Sequence, residues 1–410
     1  MILGSDELGT AVQSDSITGD ERPAFSFGPL PQAHPAFRHR VRRIGLMAVG
    51  RTYRTASVTA EPRSILLIRP DHLGDMLFLT PGLQQLRNVF PDARITLLVG
   101  PWSAGILAGN HNIDRLITFP FPGFAREPSR GLLAPYRALF SLANSLSKDH
   151  FDAAIILRHD HWWGAWAAAA AKIPRRVGYA EPDVAPFLTQ ALPYESALHE
   201  VEQNARLLRA LAPSEPPWTL GYTFFSPTAE DERWADEHTA ILGHPPRDLV
   251  AIHPGAGAPV KQWPTEYWTE VARRLQGDSR CVIVLTGGHS ERNLTAEVAR
   301  AVPRALDLAG QTTLGQLGAL FARCSLVLGS DSGPLHLATA VGTRTLTLFG
   351  PISPGKFGPW GDPKKHSVLK TDWRCAPCAR LDWSVADLGM HRCVRAIQPA
   401  EVIAGAERLL

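Results

Sequence analysis

The segment from Val327 to Pro351, VLGSDSGPLHLATAVGTRTLTLFGP, constrains the fold most, because it predicts four structural elements in close succession. A short apolar run at 325–328 predicts a strand, and the small polar residues 329–333 predict a turn. A helix is expected at 334–341 and a second strand at 344–349. Strand-to-helix turns of this kind lie at the carboxyl edge of a parallel sheet, where open α/β folds bind ligands.

The turn itself has the chemistry of an anion site. It reads Ser330, Asp331, Ser332 and Gly333, with Pro334 opening the helix. Backbone N–H groups and the helix dipole favour an anion at such a point, which predicts a phosphate-bearing ligand. An ordinary capped helix is the alternative, since Ser and Asp are preferred N-caps and Pro is favoured at the first helical position. Local chemistry leaves both interpretations open.

The same alternation of strands and helices runs along most of the chain, in two series. In the first, strands are expected at 65–70, 93–99, 116–119, 152–157 and 176–179, and helices at 76–90, 132–146, 162–172 and 199–212. The second series adds strands at 249–255 and 281–288, and helices at 266–276, 291–302, 313–323 and 399–410. Alternation of this kind predicts parallel sheets, so we expect an α/β protein of two Rossmann-like doubly wound domains facing across a cleft.

Length and composition fit that architecture. A chain of 410 residues suits two domains. We predict an N-terminal extension at 1–62, a first domain at 63–213 and a second domain at 214–410, joined by the proline-containing stretch 214–224. A net charge of +3 gives no reason to expect a nucleic-acid partner, and five cysteines argue against a disulfide framework. We see no apolar run of about 18 residues and no secretory signal, so a soluble, cytoplasmic protein is expected.

The N-terminal extension changes character along its length. Residues 1–35 are rich in Ser, Gly, Pro and acids and are expected to be disordered. Residues 37–55 hold six arginines and no acid, and a possible apolar helix face consists of Phe37, Val41, Ile44 and Ala48. Such a helix can lie on an anionic membrane surface, here the inner face of the cytoplasmic membrane. Packing on its own domain, or simple solvation, is the alternative.

Asp75 stands where the first predicted strand gives way to a helix, directly after Gly74. As a structural residue it would complement the helix dipole, an effect of about 0.3–1 kcal/mol. As a functional residue it would be a general base at the mouth of the cleft. The dipole that stabilises the carboxylate also lowers its basicity, so spacing alone favours the structural role.

A second glycine-rich turn, HPGAGAPVKQWP, occupies residues 253–264. Gly255 and Gly257 would let the backbone approach a ligand, and Lys261 could bring a mobile charge to a phosphate. The turn lacks both the Walker A ending and the GxGxxG fingerprint. Alone, it could equally be a shaped turn with a solvated lysine. Beside the 329–333 turn, it predicts a diphosphate site.

The TGGHSE turn at 286–291 places His289 and Glu291 within reach of a ribose or a base. His336, in the helix after the 329–333 turn, is by default a hydrogen-bonded structural residue.

A cysteine motif, CAPC, lies near the C-terminus. Cys375 and Cys378, with His391 and Cys393, could supply four zinc ligands. The HxC spacing is irregular for zinc, and Pro377 indicates a tight turn, so no metal is predicted.

Together these motifs resemble one family, the ADP-heptose:lipopolysaccharide heptosyltransferases of glycosyltransferase family 9, which have the GT-B fold. The segments that carry the resemblance are IRPDHLGDMLFLTPGLQQLR, IHPGAGAPVKQWPTEYWTEVA, LAGQTTLGQLGALFARC and GSDSGPLHLATAVGTRTLTLFGP. They span nearly everything from residue 64 onward, whereas the first 63 residues lie outside them.

The resemblance implies an inverting transfer of a sugar from a nucleotide diphosphate to a lipid-linked acceptor, without metal or other cofactor. The first domain would bind the acceptor and the second the donor. Asp75 matches the family's proposed base, Lys261 the lysine that neutralises the donor diphosphate, and Asp331 the aspartate beside the donor sugar. We assign to the same donor site Ser332, Gly333, Pro334, His253, Gly255, Gly257, Gly287, Gly288 and His336. We assign Gly74 and Arg69 to acceptor binding.

Other functions remain as alternatives. Relatives with the C-x-x-C ending often carry a further cysteine where this chain reads ARLDWS, so the resemblance gives these cysteines no role. The donor could be another nucleotide sugar, and the chain could be an epimerase or a non-catalytic nucleotide-sugar-binding module. Retention of Asp75, Lys261 and Asp331 together argues against the binding module. A nicotinamide oxidoreductase is disfavoured, because the first strand-to-helix turn lacks the required glycine spacing.

Overall fold

The computed structural model describes residues 37–53, 61–124, 131, 133–213, 218–240, 248–277, 281–383 and 385–410. The predicted disorder of residues 1–35 lies outside these ranges. Both sheets belong to one compact unit, Leu46–Leu410.

Two parallel sheets form the framework, each of six strands within the described ranges. The strands of the first sheet are β1 (Ser64–Arg69), β2 (Arg94–Val99), β3 (Arg115–Thr118), β4 (Ala153–Ile156), β5 (Arg175–Tyr179) and β6 (Gln190–Leu192). Those of the second are β7 (Asp248–His253), β8 (Cys281–Leu285), β9 (Leu306–Asp307), β10 (Leu326–Ser330), β11 (Thr345–Phe349) and β12 (His366–Lys370).

The strand order is the same in both sheets. It is β3-β2-β1-β4-β5-β6 in the first and β9-β8-β7-β10-β11-β12 in the second. The order reverses direction between β1 and β4, and again between β7 and β10. Ligands of doubly wound sheets bind at the carboxyl ends of the strands that flank such a switch point. The predicted fold of two Rossmann-like domains is confirmed, and each sheet offers one favoured site.

Helices cover both sheets. In chain order they are α1 (Phe37–Gly50), α2 (Leu73–Leu77), α3 (Thr80–Val89), α4 (Ala104–Leu107), α5 (Ala134–Ser147), α6 (Trp162–Ala170), α7 (Glu200–Arg209), α8 (Ala229–Ala240), α9 (Thr265–Gly277), α10 (Arg292–Ala301), α11 (Leu314–Ala322), α12 (Gly333–Ala340), α13 (Pro354–Phe357) and α14 (Pro399–Leu409).

The unbroken apolar strands explain why the sheets are covered on both faces. Along β1, Ile65 and Leu67 join one buried cluster, and Leu66 and Ile68 join another on the opposite face. The first cluster continues into the second sheet through residues such as Val327. One apolar core therefore spans the first half of the molecule, formed by the first sheet and its helices, and the second half, formed by the second sheet and its helices.

A single helix at 76–90 with a kink at Pro81 was predicted, and the structure has two separate helices there. α2 ends at Leu77 and α3 begins at Thr80, with Pro81 in its first turn. Proline has no backbone N–H to donate, so it is accommodated in a first helical turn but would interrupt a continuous helix. The break leaves Asp75 inside the short α2.

Several short or charged elements were not predicted. α8, with the sequence AEDERWADEHTA, buries only Ala235, so its apolar periodicity is weak. Strands β6 and β9 have three and two residues, which is too short for a period to show.

The predicted basic helix is present as α1, and two residues of its expected apolar face, Ile44 and Ala48, do not pack on the described part of the chain. Leu46 is buried in the core of the first half, and the backbone of Gly50 lies close to Pro186. Ile44 is 68% exposed and Ala48 is exposed. The packed side of the helix therefore runs through Leu46 and Gly50, and Ile44 faces solvent.

A helix that crosses a bilayer must be both long and apolar. Among the helices of the described ranges, none combines the length and the apolar character needed for this.

The predicted boundary at residue 214 falls on residues outside the described ranges, and the three domain limits stay predictions. Beyond it, the chain runs extended and bonds to both halves. Phe224 N–H donates to Thr80 Oγ1 in the first half (3.1 Å), and Phe225 N–H donates to Ala340 O in the second (3.1 Å).

Candidate functional site

Helices α2 and α12 begin at the two switch points and pack directly on each other. A Cβ placed on Gly74 would lie 2.8 Å from Cδ2 of His336, and one on Gly333 would lie 3.0 Å from Cδ2 of Leu73. Real Cβ atoms essentially never come as close as 2.8 Å and rarely as close as 3.0 Å, so the two glycines permit the approach. The predicted site residues of the two halves are thereby brought together at one place.

Asp75 is a half-buried carboxylate in this contact region, with 27% of its side chain exposed. Its Oδ1 lies 3.3 Å from Nη2 of Arg69. Burial and the nearby charge of Asp71 raise the pKa of Asp75 to about 7, against the lowering effect of Arg69. Loss of basicity through the helix dipole was expected from the sequence, but burial outweighs it. A carboxylate with this pKa is suited to general base catalysis near neutral pH.

Arg69 lies beneath Asp75 and is fully engaged by the protein. It is 2% exposed, and it contacts Asp71 (Nε to Oδ2, 3.0 Å), Glu200 (Nη2 to Oε1, 2.8 Å) and Asn204 (Nη1 to Oδ1, 2.5 Å). With Asp75 and the Leu157 carbonyl, hydrogen bonds account for the four N–H donors of the two Nη atoms, whereas Nε contacts Asp71 only as an ion pair. The geometry gives Arg69 the role of holding Asp75; its contact with an acceptor stays a prediction.

Sequence reasoning missed the other members of this network. Glu200 and Asn204 stand four residues apart on α7, which places them on one helix face. The buried Asp71 also pairs with Arg158, which follows β4 on the other side of the switch point. The spacing of Glu200 and Asn204 was a visible signal, but nothing in the sequence tied it to Arg69.

Asp331 is the centre of the second half of the site. It is 4% exposed; its Oδ2 lies 2.7 Å from Nζ of Lys261, and its Oδ1 lies 3.5 Å from Nε2 of His336. Burial alone would raise the pKa of Asp331, but the His336 hydrogen bond and the Lys261 charge hold it below its usual value. Asp331 is therefore held as an anion. His336 has the predicted structural role, and the group that it contacts is Asp331.

The turn before α12 keeps polar groups available. Ser332 is the N-cap residue of α12, but its side chain makes no capping hydrogen bond. The hydroxyls of Ser330 and Ser332 are buried, and neither has a hydrogen-bond partner within the described ranges. Pro334 lies in the first turn of the helix, as predicted. In an ordinary capped helix the Ser332 hydroxyl would bond to the helix N-terminus, and here it does not. This favours the interpretation as an anion site.

The predicted donor glycines surround a glutamate. A Cβ on Gly255 would collide with Oε1 of Glu291, and the Gly288 N–H donates to Oε2 of Glu291 (2.6 Å). Gly287 also lies against this side chain. His253 Nε2 is 3.8 Å from Oε2, and burial lowers the pKa of His253. These glycines make room for the Glu291 carboxylate, a packing that the sequence did not reveal.

Two predicted features lie apart from these contacts. A Cβ placed on Gly257 would meet no atom of the described residues within 4 Å, so its surroundings are open. Cys375 is exposed, and the His391 ring packs at a tilt of 33° against Trp383, with ring centroids 3.8 Å apart. In the ranges that the structure describes, no group of three or more His, Cys, Asp or Glu side chains is arranged to hold a metal ion.

The Gly74 contact can be tested by adding one methyl group. We expect Gly74→Ala to displace the His336 ring, lower the free energy of unfolding by about 1–3 kcal/mol and reduce turnover. Thermal unfolding and a turnover assay measure the two effects. The control is Gly277→Ala, where the added Cβ would have no described neighbour within 4 Å. A Gly74→Ala protein as active and stable as the control would contradict the proposed close approach.

Comparison with known proteins places the chain in a family. The model of glycosyltransferase family 9 (heptosyltransferase) matches residues 139–384, more than half of the chain. Lipooligosaccharide heptosyltransferase 2 of Haemophilus influenzae is 28% identical, over 75% of this chain and 88% of the relative. Lipopolysaccharide heptosyltransferase 3 of Escherichia coli is 29% identical, over 70% of this chain and 82% of the relative.

A solved structure supports the same fold. The E. coli ADP-heptose LPS heptosyltransferase II superimposes with a TM-score of 0.68 at 21% sequence identity, covering 84% of this chain and 98% of that chain. The likeness extends over both sheets and confirms the predicted GT-B architecture. With the family match, it leads to one conclusion: this chain is a glycosyltransferase of the GT-B fold and belongs to glycosyltransferase family 9, the heptosyltransferases.

Proposed function

We propose that this protein transfers a heptose from ADP-heptose to a lipopolysaccharide core or a related lipid-linked surface glycan. The observation that carries the proposal is the meeting of the Asp75 and Asp331 turns at the contact of α2 and α12. The names of the matched relatives, which are lipopolysaccharide and lipooligosaccharide heptosyltransferases, support the substrate class. The name of the structural neighbour includes ADP-heptose, which supports the donor.

Asp75 acts as the general base in this proposal. Its carboxylate takes the proton from an acceptor hydroxyl while the hydroxyl oxygen attacks the anomeric carbon of the donor sugar. The bond from that carbon to the diphosphate oxygen breaks, and the electron pair leaves with ADP. A single displacement of this kind inverts the anomeric configuration. The first half, which carries Asp75, binds the acceptor, and the raised pKa of Asp75 supports its function as the base.

Lys261 and the N-terminus of α12 stabilise the departing diphosphate. The Lys261 ammonium has three N–H donors, and the Asp331 side chain and the Asp331 carbonyl account for two contacts. A third donor remains to meet a phosphate oxygen. Ser332, Gly333 and Pro334 form the turn on which the phosphates rest, where backbone N–H groups and the helix dipole add to the attraction. In this proposal, hydrogen bonds from Lys261 and from the helix N-terminus stabilise the charge that develops on the diphosphate.

The nucleoside would lie beside Glu291. A carboxylate accepts hydrogen bonds from ribose hydroxyls, and the side chain remains 20% exposed. Gly287 and Gly288 hold Glu291 in place, whereas a Cβ on Gly257 would meet no described atom within 4 Å. His253 is kept neutral by burial and packs behind the carboxylate. In this proposal, the second half binds the donor and Asp75 faces the acceptor.

Donor identity is tested by calorimetry with ADP-heptose, ADP-glucose, UDP-glucose and NAD, without added metal. ADP-heptose should bind best. Lys261→Ala should weaken binding by about 10- to 150-fold, which corresponds to a charge-assisted hydrogen bond of about 1.5–3 kcal/mol. Lys364→Ala, an exposed lysine of the same half, is the control. Preferential binding of a UDP-sugar would overturn the heptose assignment, and no binding at all would favour a non-catalytic protein.

The role of Asp75 has its own test. Asp75→Asn should lower turnover by about 10²- to 10⁴-fold and leave ADP-heptose affinity nearly unchanged. Because the base works only when deprotonated, kcat of the unmodified protein should fall as the pH drops below about 7. Asp92→Asn, at an exposed turn, is the matched control. Loss of donor binding in Asp75→Asn would instead identify a structural cap.

We further propose that the protein is cytoplasmic and contacts the inner face of the membrane through residues 37–55. Ile44 is 68% exposed and Met47 is 44% exposed on α1, and this segment contains six arginines and no acid. Exposed apolar side chains on a basic helix favour an anionic lipid surface.

Vesicle co-sedimentation of the full-length chain tests this contact. The double variant Ile44→Asp, Met47→Asp should pellet less with anionic vesicles, since it removes apolar contacts and adds negative charge. Met390→Asp, at a site that is 71% exposed elsewhere in the chain, serves as the control. Equal pelleting of the double variant and the control would rule out the membrane helix.

A further inference from the structure

One histidine links the two halves of the molecule. His199 is the N-cap residue of α7, and its Nδ1 accepts a hydrogen bond from the Val201 N–H (3.1 Å). Because Nδ1 is an acceptor, the ring proton lies on Nε2. Nε2 is 3.1 Å from the carbonyl oxygen of Gly358 in the second half, so it donates to that oxygen. One side chain thus caps a helix of the first half and bonds to a loop of the second.

The ring of His199 is buried and held by aromatic neighbours. Its centroid is 5.1 Å from that of Phe78 in the first half and 4.7 Å from that of Trp360 in the second. Phe78 also packs edge-on against His336, at 4.7 Å. Burial lowers the pKa of His199, which favours the neutral ring that both hydrogen bonds require. The His199–Gly358 contact therefore depends on the orientation of the ring and on its neutral form.

The next residues of α7 lead from His199 to Asp75. Glu200 follows His199 directly, and its Oε1 lies 2.8 Å from Nη2 of Arg69. The same Nη2 lies 3.3 Å from Oδ1 of Asp75. Asn204, one turn further along α7, holds the other end of the guanidinium. The position of the α7 N-terminus thus sets the position of Arg69 against Asp75.

We propose that His199 is a positioning residue that couples closure of the cleft to the arrangement of the base. With the Gly358 contact made, the N-terminus of α7 is fixed and Arg69 is held against Asp75. When the halves separate to admit the donor or release ADP, that contact breaks and the hold on Asp75 loosens. The base is then fully arranged only in the closed molecule, as is typical of enzymes that close before reaction. This inference rests on the proposed function of Asp75.

Two substitutions separate the cap from the interdomain contact. Asparagine is a good N-cap, but its side chain is too short to reach Gly358, so His199→Asn keeps the cap and loses the contact. Glutamine can place an N–H near the position of Nε2, so His199→Gln restores the contact with a poorer cap. We expect His199→Asn to keep its thermal stability but lose about tenfold in kcat, with unchanged donor affinity. His199→Gln should be less stable and yet recover turnover.

The pH profile and the shape of the molecule give two further readouts. The Arg69 charge lowers the pKa of Asp75, so a loosened contact should move the acid limb of kcat to higher pH in His199→Asn. Small-angle scattering should show a larger radius of gyration for that variant than for the unmodified protein or for His199→Gln. The control is His111→Asn, at an exposed position of the first half.

The outcomes distinguish this inference from the proposed function. Scattering reports on the interdomain contact whether or not the protein transfers heptose, and an unchanged radius in His199→Asn would overturn the contact. If His199→Asn had a larger radius of gyration but the kcat and pH profile of the unmodified protein, the coupling to Asp75 would be overturned. Turnover that follows thermal stability across the variants, with His199→Gln the slower of the two, would also overturn it, because a merely structural role predicts that order.

Discussion

The close packing of α2 on α12 is the contact on which the proposed site depends. It is possible because Gly74 and Gly333 leave space for His336 and Leu73 of the opposite half. Each helix starts at a switch point of its sheet, where doubly wound folds bind ligands. When the two starting points meet, a base from one half and an anion-binding turn from the other can act on one substrate pair. Neither half contains both groups.

The two aspartates of the site are tuned in opposite directions by their surroundings. The pKa of Asp75 is raised to about 7 by burial and by Asp71, which suits proton transfer at neutral pH. The pKa of Asp331 is lowered, because His336 and Lys261 stabilise its charge. A pair of carboxyl groups with divergent pKa values is a common basis for dividing roles in an enzyme. In the proposed mechanism one carboxylate accepts a proton, while the other holds Lys261, the lysine proposed to meet the diphosphate.

The sequence revealed the elements whose signals are local. The strand-to-helix turns at Asp75, Lys261 and Asp331 were recognisable because glycine, proline and buried apolar runs mark such turns within a few residues. The role of Arg69 was not recognisable, since its partners Glu200 and Asn204 lie more than 130 residues away in the chain. His199 was missed for the same reason, because Gly358 is 159 residues distant. Contacts of this range depend on how two sheets pack, and no local pattern encodes that packing.

The most direct test of this account is a structure of the protein with a non-reactive ADP-heptose analogue bound. We predict that the diphosphate lies on the N-terminal turn of α12 within hydrogen-bond distance of Lys261 Nζ. The anomeric carbon should face the Asp75 carboxylate, with space between them for an acceptor hydroxyl. A diphosphate bound away from Lys261, or an Asp75 turned from the sugar while the Gly74 and His336 contact remains closed, would contradict the account.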